Sequence, residues 1–140
     1  MQKATARWAG KKVKFVVEAG SGHEASVDEP PLFGEDDGMR PTEMLLGALG
    51  SCTGINAVLL LKKFKQAYRS LEVEVDGDQQ DDWPHAFTNV RIKFVIGWEP
   101  GFTPDPELVD KALDMACNRY CPVDATLTHG TSITHSRADA

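Results

Sequence analysis

Cysteine is scarce in this chain, and the few cysteines present do not form a disulfide framework. Only three occur among 140 residues: Cys52, Cys117 and Cys121. A secreted protein that depends on disulfides carries more, usually in an even number. The first residues contain no apolar segment of the kind that forms a signal peptide. The sequence therefore predicts a cytoplasmic, reducing setting, where cysteines are either inert core residues or reactive thiols.

Positive charge is also limited. The chain has 15 Lys and Arg against 21 Asp and Glu, which gives a net charge of −6. A surface of this kind repels nucleic-acid phosphates and anionic lipids. The lysines of residues 11–14 and 62–65 lack the interleaved aromatic side chains of a single-strand binding site. We expect neither nucleic acid nor a membrane as a partner.

The common catalytic and metal-binding motifs are missing. No Walker loop, GxGxxG, HExxH, GxSxG or CxxC occurs. The histidines are scattered without ligand spacing, at His23, His85, His129 and His135. Cys117 and Cys121 lack the second pair of ligands that a zinc site needs. We expect no metal.

Length and composition indicate a single domain over residues 1–140. Hydrophobic residues make up 41% of the chain and charged residues 26%, as in ordinary globular proteins. A chain of this length buries enough surface to need no disulfide or metal for its core.

Residues 44–61 contain no charged side chain and predict a long helix. Pro41 and Glu43 precede this run and Lys62 and Lys63 follow it, so both ends complement the helix dipole. Eighteen uncharged residues lie at the lower limit for a membrane span. Glycines and polar residues lower the hydrophobicity of the run, so we favour a helix buried on nearly all sides of a soluble protein.

Alternating apolar residues predict strands on both sides of this helix. Residues 71–76 and 87–98 form a hairpin, and residues 14–17 and 24–28 form two N-terminal strands. The remaining predictions are a solvated loop at 29–40, a second helix at 104–120, a short helix after Pro122 and a closing strand at 131–137. This order belongs to the α+β class, with one central helix.

Cys52 lies inside the predicted helix, between Gly50 and Gly54. Each glycine costs a helix roughly 1 kcal/mol relative to alanine. A helix accepts that cost where another backbone or a substrate must come close. Two interpretations follow: helix–helix packing with a small buried thiol, or a reactive thiol in a substrate site.

Cys121 precedes Pro122, and proline favours the first position of a helix. Cys121 is then the N-cap, where unpaired backbone N–H groups and the helix dipole lower a thiol pKa. Arg119 could act in the same direction. In the alternative interpretation, Cys121 marks the helix end and has no redox role.

These two cysteines lie in segments that resemble a known family. Residues 40–53 (RPTEMLLGALGSCT) resemble the central-helix signature of the OsmC/Ohr proteins, and residues 120–123 (YCPV) resemble their second-cysteine motif. Residues 133–135 (ITH) lie where the last strand of that family ends. The similarity runs through essentially the whole chain and is nearer to the less characterised, YhfA-like branch.

The resemblance implies an OsmC-like fold and an intertwined homodimer with two sites at the subunit interface. In such a dimer, a second chain covers the apolar central helix.

The resemblance also implies a peroxidase of oxidative or osmotic stress that needs no metal or organic cofactor. Cys52 takes the role of the thiolate that attacks an organic hydroperoxide, becomes a sulfenic acid and releases an alcohol. Cys121 then condenses with it to a disulfide, which a dithiol or lipoyl-type reductant opens.

The sequence departs from the hydroperoxide-resistance branch in the group that activates the thiolate. That branch has an early arginine, whereas no arginine occurs here between Arg7 and Arg40. Its glutamate follows the helix proline directly, whereas Glu43 is one residue later. Arg40 with Glu43 is a possible substitute, as is Arg119. The alternatives are a non-catalytic dimer that senses redox state or binds a small ligand, and a structural dimer with core cysteines.

Overall fold

Three short strands, a long helix, a long hairpin and two further helices follow one another along the chain. The computed structural model describes residues 1–140. Its elements are β1 (Ala4–Trp8), β2 (Phe15–Ala19), β3 (Glu24–Val27), α1 (Pro41–Lys63), β4 (Tyr68–Gln79), β5 (Phe87–Trp98), α2 (Pro106–Asn118) and α3 (Pro122–His129). The predicted α+β class is confirmed, with one N-terminal strand more than predicted.

The chain divides into two compact units, residues 1–46 and residues 47–140, and the boundary falls within α1. The single domain over residues 1–140 therefore stays a prediction.

The first unit contains an antiparallel sheet in the order β1-β2-β3. Thr5 pairs with Glu18 across β1 and β2, and Val17 pairs with Ala25 across β2 and β3. Strand β1 was not predicted separately, because it is short, exposed along most of its length, and two of its three alternating apolar residues are small alanines.

The loop after β3 is organised around one buried carboxylate. Asp28 is 2% exposed. It accepts backbone N–H bonds from Glu29 at 2.8 Å, Glu35 at 3.1 Å and Asp37 at 3.1 Å. Burial opposes ionisation of Asp28, but the three donors and the charge of Lys14 together outweigh it and hold the pKa of this carboxyl below its usual value. Residues 29–40 form the largely exposed loop predicted for them, and three of its backbone N–H groups bond to this carboxylate.

The second unit is built on the β4–β5 hairpin, and its cross-strand pairs confirm the predicted apolar face. They are Leu71–Ile96, Val73–Phe94 and Val75–Ile92. Leu71, Phe94 and Ile96 pack against the core, whereas Val90, also predicted on this face, is 37% exposed.

Helix α1 packs between this hairpin and α2. The core consists of Ala57, Leu60 and Leu61 from α1 and Val109, Ala112 and Ala116 from α2. Gly50 lies so close to β4 that a Cβ atom on it would be 2.9 Å from Cγ2 of Val75. The glycine therefore allows close packing, but against a strand and not against the second helix that one interpretation of the sequence predicted.

One side of α1 remains exposed, so the prediction of a helix buried on nearly all sides was wrong for the single chain. Ile55 is 63% exposed and Leu59 is 61% exposed, because the hairpin and α2 cover only the opposite face. By length and composition α1 could cross a membrane, with a mean hydropathy of 1.8 over its most apolar stretch. Core helices of soluble proteins pass the same test, so this is weak support for a span.

The predicted closing strand at 131–137 is absent. These residues are exposed and lie in no strand. Within the single chain no neighbouring strand supplies backbone partners for them, and a strand cannot form without such partners.

Candidate active site

Cys52 lies in the middle of α1, at the border between its buried and exposed sides. Its side chain is half-buried, whereas the next residue, Thr53, is fully buried. The hydroxyl groups of Ser51 and Thr53 donate to carbonyls of their own helix, at 3.2 Å to Ala48 and 3.0 Å to Leu49. The two neighbouring hydroxyls are thus already engaged within the helix.

Cys121 occupies the N-cap of α3, as the proline that follows it predicted. Its backbone is extended (φ −87°, ψ 106°) and Pro122 opens the helix. The backbone N–H of Asp124 donates to Cys121 Sγ at 3.3 Å. The side chain is only 3% exposed.

The two cysteines lie in the same region of the molecule although they are far apart in sequence. The Cys52 side chain lies near enough to Cys121 to raise the pKa of the Cys121 thiol. Both cysteines are free thiols. The packing of α1 on α2 brings them together, because Cys52 lies on α1 and Cys121 follows the end of α2.

The protonation of Cys121 differs from the sequence expectation. Burial raises the pKa of its thiol, and the nearby Cys52 side chain raises it further. The backbone N–H groups of Asp124 and Val123 lower it, as the N-cap position predicts, but they do not compensate for burial. The expected low pKa of Cys121 was therefore wrong, and the net direction is upward.

Cys117 is a third thiol near this pair. It is half-buried in the last turn of α2. Burial is the main cause that raises its pKa, and the charges of Asp124, Cys121 and Asp114 act in the same direction. Across residues 1–140, no group of three His, Cys, Asp or Glu side chains could hold a metal ion.

Arg40 and Glu43 have local roles at the start of α1. The Arg40 guanidinium donates to Asp36 at 2.6 Å and to the Gly38 carbonyl at 3.0 Å. The Glu43 carboxylate accepts the backbone N–H of Arg40 at 2.8 Å, as in a capping box. Their predicted role in activating the thiolate stays a prediction.

Arg119 is engaged at the end of α2. Its guanidinium lies over the ring of Tyr120, 5.4 Å from the ring centre. Its backbone N–H donates to the Met115 carbonyl at 3.1 Å. Its predicted effect on the thiols likewise stays a prediction.

Asn56 is a residue at this site that the sequence analysis missed. Its side-chain Nδ2 donates to the backbone carbonyl of Ala116 at 3.4 Å and so joins α1 to α2. The available signal was its position four residues after Cys52, which places both side chains on one face of the helix.

Known proteins resemble this chain in sequence and in fold. A family model described as OsmC-like protein matches residues 34–136. Protein YhfA of Escherichia coli (strain K12) is 29% identical over 133 residues, which cover 95% of this chain and 94% of the relative.

Two solved structures extend this similarity. An OsmC-like protein of unknown function from Vibrio cholerae has a TM-score of 0.77 and 14% identity, with 91% of this chain and 94% of that chain covered. An organic hydroperoxide resistance protein from Elizabethkingia anophelis has a TM-score of 0.60 and 21% identity, with 91% and 88% covered. At these identities the two structures show a shared fold and no more.

Proposed function

Because this chain belongs to the OsmC-like protein family, we propose that it is a thiol-dependent peroxidase that reduces organic hydroperoxides to alcohols. The observation that carries the proposal is the proximity of the Cys52 and Cys121 thiols, one half-buried and one buried. A two-cysteine peroxidase needs its two sulfur atoms close enough to form a disulfide.

In the first step, the Cys52 thiolate attacks the distal oxygen of the hydroperoxide. The O–O bond breaks, Cys52 becomes a sulfenic acid and the alkoxide leaves as an alcohol after it takes up a proton. The sulfur is oxidised by two electrons and the peroxide is reduced by two.

In the second step, the Cys121 sulfur attacks the sulfenic acid. An S–S bond forms, the S–O bond breaks and water leaves. An external dithiol then reduces the disulfide by two successive exchanges and restores both thiols.

The raised pKa of Cys121 suits the proposed division of roles. A thiol that stays protonated at neutral pH does not compete with Cys52 for the peroxide. Beside the attacking sulfur, it can also supply the proton that the leaving alkoxide requires. Once that proton has left, Cys121 is a thiolate beside the sulfenic acid that it must attack.

The apolar side of α1 supports an alkyl rather than a polar substituent on the peroxide. Ile55 lies three residues after Cys52 and is largely exposed, so Cys52 borders an apolar surface. A partner subunit that covers this surface would enclose the substrate, and we include a homodimer in the proposal.

The test is turnover of cumene hydroperoxide with dithiothreitol or dihydrolipoamide as the reductant. We expect Cys52→Ser to lose activity, because no sulfenic acid can form on it. Cys121→Ser should react once with peroxide and accumulate a sulfenic acid that dimedone traps. Cys117→Ser is the matched control and should retain activity. Equal turnover in wild type and Cys52→Ser would overturn the proposal.

A second candidate is a non-catalytic dimer that senses redox state or binds a small ligand. The burial of Cys121 and its raised pKa favour it, because both slow thiol chemistry. Thiol titration after addition of one equivalent of hydroperoxide separates the two candidates. Loss of two thiols within seconds supports the peroxidase, whereas loss over hours supports the sensing or binding protein.

A further inference from the structure

We propose that Asn56 is a positioning residue that holds Cys121 against Cys52 by capping the C-terminal end of α2 from the neighbouring helix. The inference deepens the proposed function and rests on it, because it concerns the geometry of the same thiol pair. It rests on which hydrogen-bond donors reach the side chains and backbone carbonyls of α1 and α2.

Asn56 differs from the other polar side chains in the middle of α1. The hydroxyl groups of Ser51 and Thr53 donate to carbonyls within α1 itself. The Asn56 amide instead leaves its own helix and donates to the carbonyl of Ala116 on α2. Asn56 therefore joins α1 to α2 by a side-chain hydrogen bond.

The Ala116 carbonyl needs a donor from outside its own helix. The last carbonyls of a helix have no intrahelical partner. At the end of α2, the N–H groups of both Arg119 and Tyr120 donate to the Met115 carbonyl, each at 3.1 Å, and so pass over Ala116. Ala116 is fully buried, so water has little access to its carbonyl, and Asn56 supplies the donor.

The capped end of α2 is the segment that leads to Cys121. Ala116 lies five residues before Cys121, and the chain leaves the helix at Arg119 to reach the N-cap of α3. On α1, Asn56 lies one helical turn after Cys52. One hydrogen bond therefore connects the helix that carries the first thiol to the turn that carries the second.

This bond restricts where the Cys121 thiol can lie relative to Cys52. Without it, the turn after α2 samples more positions, and the effective concentration of one thiol toward the other falls. Asn56 acts through its bond to α2 and not on either sulfur atom. Its removal should weaken disulfide formation and leave the first attack on peroxide unchanged.

The experiment measures the equilibrium constant of the Cys52–Cys121 disulfide in glutathione redox buffers, in a Cys117→Ser background that removes the third thiol. Asn56→Ala should lower this constant about fivefold, within the range for loss of one hydrogen bond. Asn56→Leu keeps the volume without the donor and should behave alike. The matched control is Asn118→Ala. It removes an exposed hydrogen bond of 2.7 Å between Asn118 and Asp114, both on α2, and should leave the constant unchanged.

A second readout separates positioning from general destabilisation. The rate at which dimedone traps the Cys52 sulfenic acid, measured with limiting peroxide in a Cys121→Ser background, should be the same with Asn56 and with Asn56→Ala. If the disulfide forms but Asn56→Ala and Asn118→Ala have equal constants, the role of Asn56 is overturned. If no variant forms the disulfide, the proposed function itself fails.

Discussion

Two opposing influences act on the Cys121 thiol at the start of α3. Backbone N–H groups at the N-cap favour the thiolate, and the removal of water favours the thiol. The Asp124 N–H lies 3.3 Å from the sulfur, so the first influence is present. Burial nevertheless raises the pKa of Cys121, since the N–H groups of Asp124 and Val123 do not replace the solvation that a thiolate loses. For the Cys121 thiol, desolvation therefore determines the direction of the pKa shift.

Alkylation of Cys121 tests this balance. In a variant with Cys52→Ser and Cys117→Ser, the rate of reaction with iodoacetamide should rise with a midpoint above the ordinary thiol pKa of about 8.5. The sign follows from burial, because a folded-state pKa that is raised leaves less thiolate at neutral pH than a free cysteine has. The measurement is the rate constant as a function of pH, followed by mass spectrometry.

The control for that profile is the same variant unfolded in urea, where the midpoint should return to the ordinary value. A native midpoint below the unfolded one would contradict the raised pKa. It would mean that the N-cap donors dominate over burial at Cys121.

At the scale of elements, α1 and β4 depend on glycine to approach each other. Gly50 faces Val75 and Gly54 faces Val73, and a Cβ on Gly54 would be 3.3 Å from Cγ2 of Val73. Gly47, one turn before Gly50, has no neighbour within 4 Å of the position of a Cβ atom. Gly47 therefore carries only the helix-propensity cost of glycine, whereas Gly50 and Gly54 also allow α1 to pack closely on β4.

Alanine substitutions at Gly47 and Gly50 should change stability in opposite directions. Gly47→Ala should raise the free energy of unfolding by about 0.5–1 kcal/mol, since alanine is the better helix former and the site is open. Gly50→Ala should lower it by about 1–3 kcal/mol, since the new methyl group overlaps Val75 and α1 must move away from β4. The measurement is urea unfolding at one fixed protein concentration. Stabilisation by both substitutions would show that α1 and β4 adjust without cost.

At the scale of the whole molecule, the exposed apolar side of α1 needs a cover. Ile55 and Leu59 lie on adjacent turns and are both more than half exposed in the single chain. A second copy of the chain and a lipid bilayer are two covers of suitable chemistry. The proposed homodimer takes the second copy as the cover.

Light scattering after size-exclusion chromatography should give a mass of about twice the 15.3 kDa of one chain. Ile55→Lys should shift the protein toward the monomer, because the charge would be buried in the subunit interface. The matched control is Val95→Lys, since Val95 is an exposed apolar residue on the hairpin and pairs with Glu72. A monomeric wild type that binds phospholipid vesicles would instead support the membrane as the cover.

Local patterns in the sequence determined much of the fold. The uncharged run of residues 44–61 determined α1, and the alternation in residues 71–76 and 87–98 determined the hairpin, because helices and strands expose side chains with different periods. The Cys121–Pro122 pair determined the start of α3, since proline fits the first turn of a helix. Each of these signals lies within a few neighbouring residues.

Only the tertiary structure decided how distant residues act on one another. The proximity of Cys52 to Cys121, the burial that raises the pKa of Cys121, and the bond from Asn56 to Ala116 all depend on segments that are remote along the chain. The missing strand at residues 131–137 has the same cause, because a strand requires a partner that its own sequence does not specify. Solvation and hydrogen bonding depend on which residues are neighbours in space. In this chain, the packing of helices and strands determines which distant residues become neighbours.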